Sequence, residues 1–190
     1  MLPIGPLMME HRLIERMIAL MQQELTRIKD NTAIDPEFAF VDPVFLDIAV
    51  DFLRTYADRC HHGKEEDILF AELARKELSP EHQQLMTELI AEHVWARETT
   101  GKLVKAKENH LRGSNEALTE LLHYLGELVD FYPRHIEKED KHFFIPCMEY
   151  FSPSGKDELL KRMWEFDRQM IHQKYTNVVE QIEKRRACGI

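Results

Sequence analysis

The chain is poor in the residues that punctuate tight turns. It has 7 glycines and 8 prolines in 190 residues, which argues against an all-β domain built from many hairpins. Its three cysteines, Cys60, Cys147 and Cys188, are far apart and form no CxxC pair. That usage suits free thiols in a reducing compartment, not a disulfide framework. Basic charge is scarce as well: 25 Lys and Arg stand against 34 Asp and Glu, for a net charge of −9. Without clustered positive charge, neither a nucleic-acid partner nor adhesion to an anionic membrane is expected. No long apolar run is present. The stretch from Met1 to Met9 is apolar but short, has no basic leader, and runs directly into Glu10-His11-Arg12. It reads as neither a signal peptide nor a membrane span. A soluble cytoplasmic protein is expected.

What is abundant is helix-forming and apolar. Hydrophobic residues make up 44% and charged residues 31%, enough to bury a core and solvate a surface. Sparse turn signals divide the chain into five expected helices near 6–30, 43–78, 80–111, 114–149 and 155–186, because apolar residues between them recur three and four apart. Leu7, His11, Ile14, Ile18, Met21, Leu25 and Ile28 form a bundle seam on the first. Long helices with short connections pack most simply as an antiparallel bundle. With no low-complexity segment, repeat or appended output module in evidence, the chain reads as one domain over 1–190, with a bundle core near 6–150 and a C-terminal helix near 155–186. Pro133 is expected to kink the fourth helix just before His135.

Ten histidines are unusual, and their positions matter more than their number. His11 occupies a seam position. Leu46, Val50, Leu53 and Ala57 lead to His61, then Glu65; Leu85 and Leu89 lead to His93; Leu121, Leu125, Leu128 and Tyr132 lead to His135, then Glu139. Each apolar stripe is thus interrupted by a histidine, and two of them by a glutamate one turn later. Residues four apart share a helix face, so His61 with Glu65 and His135 with Glu139 can each present nitrogen and oxygen to one ion. Burying these groups unpaired would cost several kcal/mol, which coordination removes. Imidazole and carboxylate together suit iron, with manganese or zinc as alternatives.

The segments EHRLIERM (Glu10 to Met17), HHGKEEDILF (His61 to Phe70), EHVWAR (Glu92 to Arg97) and HIEKED (His135 to Asp140) closely resemble the hemerythrin-like proteins of the His-His-Glu cation-binding group, over about residues 6 to 150. The resemblance implies an all-α, up-down four-helix bundle with an additional C-terminal helix here, enclosing two non-haem, carboxylate-bridged iron ions. It implies His11, His61, Glu65, His93, His135 and a carboxylate of the fourth helix as ligands. That carboxylate is Glu139 or Asp140, and Glu139 is preferred because its spacing repeats that of His61 and Glu65. Oxygen-carrying hemerythrins place a second histidine four residues along the third helix, where this chain has Arg97. His172 on the last helix is the expected replacement, with His62, turned about 100° from His61 on a regular helix, as the weaker one. Glu15, one turn after His11, is either an outer partner of an imidazole or half of a surface ion pair. His82, His110 and His123 read as solvated, while spacing puts His142 within reach of the site. The expected function is binding of molecular oxygen or a related diatomic for sensing, storage or delivery. The alternative is a di-iron redox enzyme acting on peroxide, nitric oxide or ferrous iron. No protein partner is identified.

Overall fold

A computed structural model describes residues 2–34, 40–114 and 116–187, with side chains up to residue 170. Among the described residues every regular element is a helix, with no strand. The first helix, α1 (Gly5–Ile34), buries Leu7, His11, Ile14, Ile18, Met21, Leu25 and Ile28, the seam that its spacing foretells. Helix α2 begins at Pro43–Phe52, where the Asp42 side chain accepts hydrogen bonds from the Val44 and Phe45 amides and Pro43 needs no donor. It continues through two wide π-helical stretches, Leu53–His62 and Glu65–Phe70, and ends at Ala71–Leu73. The sequence pattern extends this helix to 78; the chain instead leaves it after Leu73, with Arg75 and Lys76 amides bonding three residues back to Glu72 and Leu73. Helix α3 (Pro80–Leu111) starts at Ser79, whose hydroxyl accepts from the His82 amide. It closes at Gly113, whose φ of 88° is available to glycine without strain.

Helix α4 runs from Ala117–Lys138 through a π-turn at Glu139–Phe143 to Phe144–Cys147 and a short 3₁₀ turn, Met148–Tyr150. Pro133 lies inside its regular part without ending it; the departure from α geometry falls later, at Glu139. Helix α5 (Pro153–Ala187) follows. Among the described residues no helix is long and apolar enough to cross a membrane.

The π-helical stretches of α2 have a direct consequence. His61, His62, Lys64 and Glu65 are all buried, more than the 3.6-residue period of one buried stripe allows. Helix α5 covers this side: the Phe166 ring lies where a β-carbon on Gly63 would stand, 2.9 Å away.

The apolar interior falls into two clusters. One gathers Ile14 to Ile28, Leu46 to Ala57, Leu103 and Leu121 to Tyr132. The other gathers Leu7, Ile68 to Leu73, Leu89, Phe143 to Phe151, Leu159 and Met163. His11, His61, His93 and His135 fall between the two along their helices, so a polar layer separates two greasy ones. Leu128 is fully buried in the first cluster, and Leu128→Ala should destabilise the chain by about 2–5 kcal/mol, measured by urea denaturation. Asp42→Ala should cost about 1 kcal/mol by removing the cap.

Candidate metal centre

Each interior histidine enters from a different helix: His11 from α1, His61 from α2, His93 from α3 and His135 from α4. Glu65 and Glu139 complete the layer, and all six are at most 2% exposed. The Nε2 atoms of His11 and His61 lie 2.9 Å apart. Glu65 places one oxygen 3.3 Å from His61 Nε2 and the other 3.3 Å from His93 Nε2. Glu139 places one oxygen 3.2 Å from His11 Nε2 and the other 3.3 Å from His135 Nε2. Each carboxylate therefore divides its oxygens between a His11–His61 side and a His93–His135 side. Ligands of a common ion held at about 2.1 Å stand roughly 3 Å from one another at right angles, the separation found here.

The outer nitrogens explain why the inner ones face inward. His11 Nδ1 donates to Asp140 at 2.7 Å, His61 Nδ1 to Glu10 at 2.9 Å, His93 Nδ1 to Glu66 at 2.7 Å and His135 Nδ1 to Glu92 at 2.8 Å. A proton on Nδ1 leaves the Nε2 lone pair free for a cation. The pattern is cyclic: α1 lends Glu10 to α2, α2 lends Glu66 to α3, α3 lends Glu92 to α4, and α4 lends Asp140 back to α1. A cation from the histidine's own helix then holds each acid: Lys64 on Glu10, Arg97 on Glu66, Lys138 on Glu92 and Arg12 on Asp140. Aromatic faces back the imidazoles, with Phe144 stacked on His11, Phe131 on His135 and Phe70 on His93.

The inward atoms fit a cation and little else. Both oxygens of Glu65, both of Glu139, and Nε2 of His93 and of His135 are buried without a hydrogen-bond partner among the described residues. Groups this deeply buried are ordinarily paired, and a set of lone pairs from imidazole and carboxylate aimed at one small volume is the donor set of a transition-metal ion.

Several sequence expectations are placed differently. Asp140 bonds the outer nitrogen of His11 and so holds that ring from behind. Glu15 is half-exposed and pairs with Arg12 at 3.0 Å, leaving the outer role to Asp140, which α4 brings across. Arg97 donates to both Asp58 and Glu66 and so clamps the acid behind His93. His142 is exposed, because its offset from Glu139 turns it out of the layer. His82 is half-buried and bonded to the Tyr150 hydroxyl at 2.8 Å, not simply solvated. His172 lies on α5, but its side chain is outside the described residues. His62 is fully buried and brings a nitrogen within 4.8 Å of those of His93 and His135. Its ring, however, stacks on that of His93 at 3.9 Å with an interplanar angle of 11°. Imidazole lone pairs lie in the ring plane, and two offset, nearly parallel planes do not share one ion. Sequence reasoning missed Glu10, Glu66 and Glu92; the repeated Glu-His pairs Glu10-His11 and Glu92-His93 were the available signal.

The family profile described as the hemerythrin HHE cation binding domain matches residues 2–144. The chain belongs to the hemerythrin HHE cation-binding family. No curated protein and no solved structure matches it significantly. A helical, cation-binding protein of this family accounts for the buried His/Glu clusters.

Charge in the layer sets the response to pH when no cation is bound. Burial works to lower the His61 imidazole, but Glu65, Glu10 and Glu139 outweigh it and raise it to about 10. Burial likewise opposes His93, yet Glu139, Glu66 and Glu65 raise it to about 9. Burial would raise Glu139, but His135, His11 and His93 hold it well below the carboxylate range. The imidazoles' stabilising contribution is full below about pH 6.5 and is lost as pH rises through about 9 to 10. That of Glu139 is present above about 4.5 and is lost on acidification through its depressed value. The melting temperature of metal-free protein should therefore fall as pH climbs toward 10, and added divalent metal should abolish that fall by taking the protons' place. Separately, Glu92→Gln should weaken metal affinity about 10–100-fold in competition with a chromophoric chelator, while the far-UV circular dichroism spectrum stays unchanged.

Proposed function

We propose that this chain is a di-iron protein that binds molecular oxygen or a related diatomic. In this reading His11 and His61 would hold one ion and His93 and His135 the other, with Glu65 and Glu139 supplying carboxylate oxygens to both. The observation that carries it is the set of buried, unpartnered Glu65 and Glu139 oxygens, each carboxylate facing both histidine pairs. Iron is favoured over manganese or zinc because nitrogen and oxygen donors are mixed and two carboxylates offset the charge of two cations. When bound, a ferrous pair can supply two electrons to oxygen without an organic cofactor.

The protein's own part is to orient, balance charge and exclude water. The four outer acids keep Nε2 of each histidine directed inward. Against burial, the bonded histidines together with Lys64, Arg97 and Lys138 hold the carboxyls of Glu10, Glu66 and Glu92 below the usual range. The stacked faces of Phe70, Phe131 and Phe144 and the two apolar clusters keep the layer dry. The proposed frame is an up-down antiparallel four-helix bundle with α5 added, the whole chain forming one cytoplasmic domain. Its support is the order of the clusters: α1 passes from the second to the first, α2 from the first to the second, α3 and α4 repeating the alternation.

A second reading, a redox enzyme acting on peroxide, nitric oxide or ferrous iron, is supported by one feature. A cavity of about 360 Å³ opens beside His62 and Arg97, on the His93 side of the layer. Such a cavity would let a substrate reach that side.

Metal-replete protein should carry about two irons per chain by elemental analysis, and its visible spectrum should change when anaerobic reduced protein meets air. Fewer than about one iron per chain would end the proposal. Recovery of the original spectrum on removing oxygen, with no net consumption, supports binding; sustained loss of added peroxide over many turnovers supports catalysis.

A further inference from the structure

The cavity beside His62 has chemistry that an oxygen pathway does not require. Its wall is built largely from the π-helical stretch Leu53–His62, which aligns Arg54, Asp58, Arg59 and His62, while Arg97 and Tyr132 close it from α3 and α4. Wider turns bring residues four and five apart to one face, so Arg54 and Arg59 stand together at the mouth. Both are exposed and neither takes part in an ion pair among the described residues, whereas Arg97 and Asp58 are already bonded to each other. A chain of net charge −9 thus presents a local excess of guanidinium at the opening of this cavity.

Deeper in, His62 is 1% exposed, and its Nδ1 has no hydrogen-bond partner among the described residues. It stands 3.4 Å from an Asp58 oxygen, outside hydrogen-bonding geometry. The stacked arrangement on His93 keeps it from sharing that residue's ion, and the buried ring lines the cavity. Tyr132 is buried, and burial holds its phenol well above the usual value, so the hydroxyl remains a proton donor. A neutral, apolar diatomic gains nothing from guanidinium groups or a buried hydrogen-bonding nitrogen. An oxyanion gains from both, through fork-shaped recognition by arginine and through a raised local concentration at a positive mouth. The volume holds such an ion together with several waters.

We propose that this cavity is a binding site for a small inorganic oxyanion, received by Arg54 and Arg59 and met at its inner end by His62. The proposal rests on the metal-centre reading only for what the bound ion then faces, namely the His93–His135 side of the layer.

The test is titration of isotopically labelled protein with sodium nitrite, sodium nitrate and sodium bicarbonate, each against sodium chloride at equal ionic strength. Zinc-loaded protein keeps the spectrum diamagnetic, and a metal-free sample of verified helicity runs in parallel. Saturable shifts of the Arg54 and Arg59 side-chain NH signals and of the His62 ring are expected for at least one oxyanion. The Arg54→Gln/Arg59→Gln double variant, altered only at exposed positions, should bind that oxyanion about tenfold or more weakly. Shifts that chloride reproduces, that fail to saturate, or that persist unweakened in the double variant overturn the proposal. Oxyanion binding by a protein that takes up no iron retires the metal reading and keeps this one; full iron loading without oxyanion binding does the reverse.

Discussion

Two carboxylates sealed between apolar clusters, with no hydrogen-bond partner among the described residues, are the constraint on which the fold turns. Glu65 and Glu139 are fully buried, and an ionised carboxylate in such surroundings is tolerated only beside positive charge. Protonated imidazoles can supply that charge, and so can cations held by the same imidazoles. The helices are arranged so that either solution is reached from the same atoms, which makes the layer a place where protons and metal ions compete.

The second tier of acids turns four separate rods into one ring. Each acid sits next to an interior ligand on its own helix: Glu10 beside His11, Glu66 beside Glu65, Glu92 beside His93 and Asp140 beside Glu139. From there it reaches the histidine of the adjoining helix, and that helix answers with a cation. Displacing one helix disturbs two histidines, so ligand orientation and helix packing are a single property. Lys64 extends the ring outward, because its ammonium donates to Glu10 and also to Asp167 of α5 at 2.6 Å. The C-terminal helix is therefore tied to the His61 side of the layer. One cavity opens on the opposite face, toward His62 and Arg97, and another lies beside the tie itself, lined by Glu10, Tyr56, Trp164 and Asp167.

Much of this was legible in the chain because helical periodicity is local. A histidine at a seam position, or a glutamate four residues after it, has its direction set by the 100° step of its own helix. The seam of α1 and the His61–Glu65 and His135–Glu139 pairs are therefore found where the pattern puts them. The acids one residue away could not be assigned in this way. Their offset turns them off the stripe, and only the neighbouring helix decides whether they meet solvent or an imidazole, as Asp140 does. Glu15, four residues after His11, is likewise left to pair with Arg12 because no neighbouring helix claims it among the described residues. His62 misled for a related reason. The expectation of a regular turn placed it off the layer, whereas π-helical geometry buries it together with His61 and stacks it on His93.

Sequence alone thus determined that His11, His61, Glu65, His93, His135 and Glu139 point inward, because their direction depends on spacing within a single helix. Only the tertiary structure decided which nitrogen of each histidine faces the layer, what Arg97 holds in place of a ligand, and which side chains line the cavities around it. Those depend on contacts between rods distant in the chain, and no local period encodes such contacts.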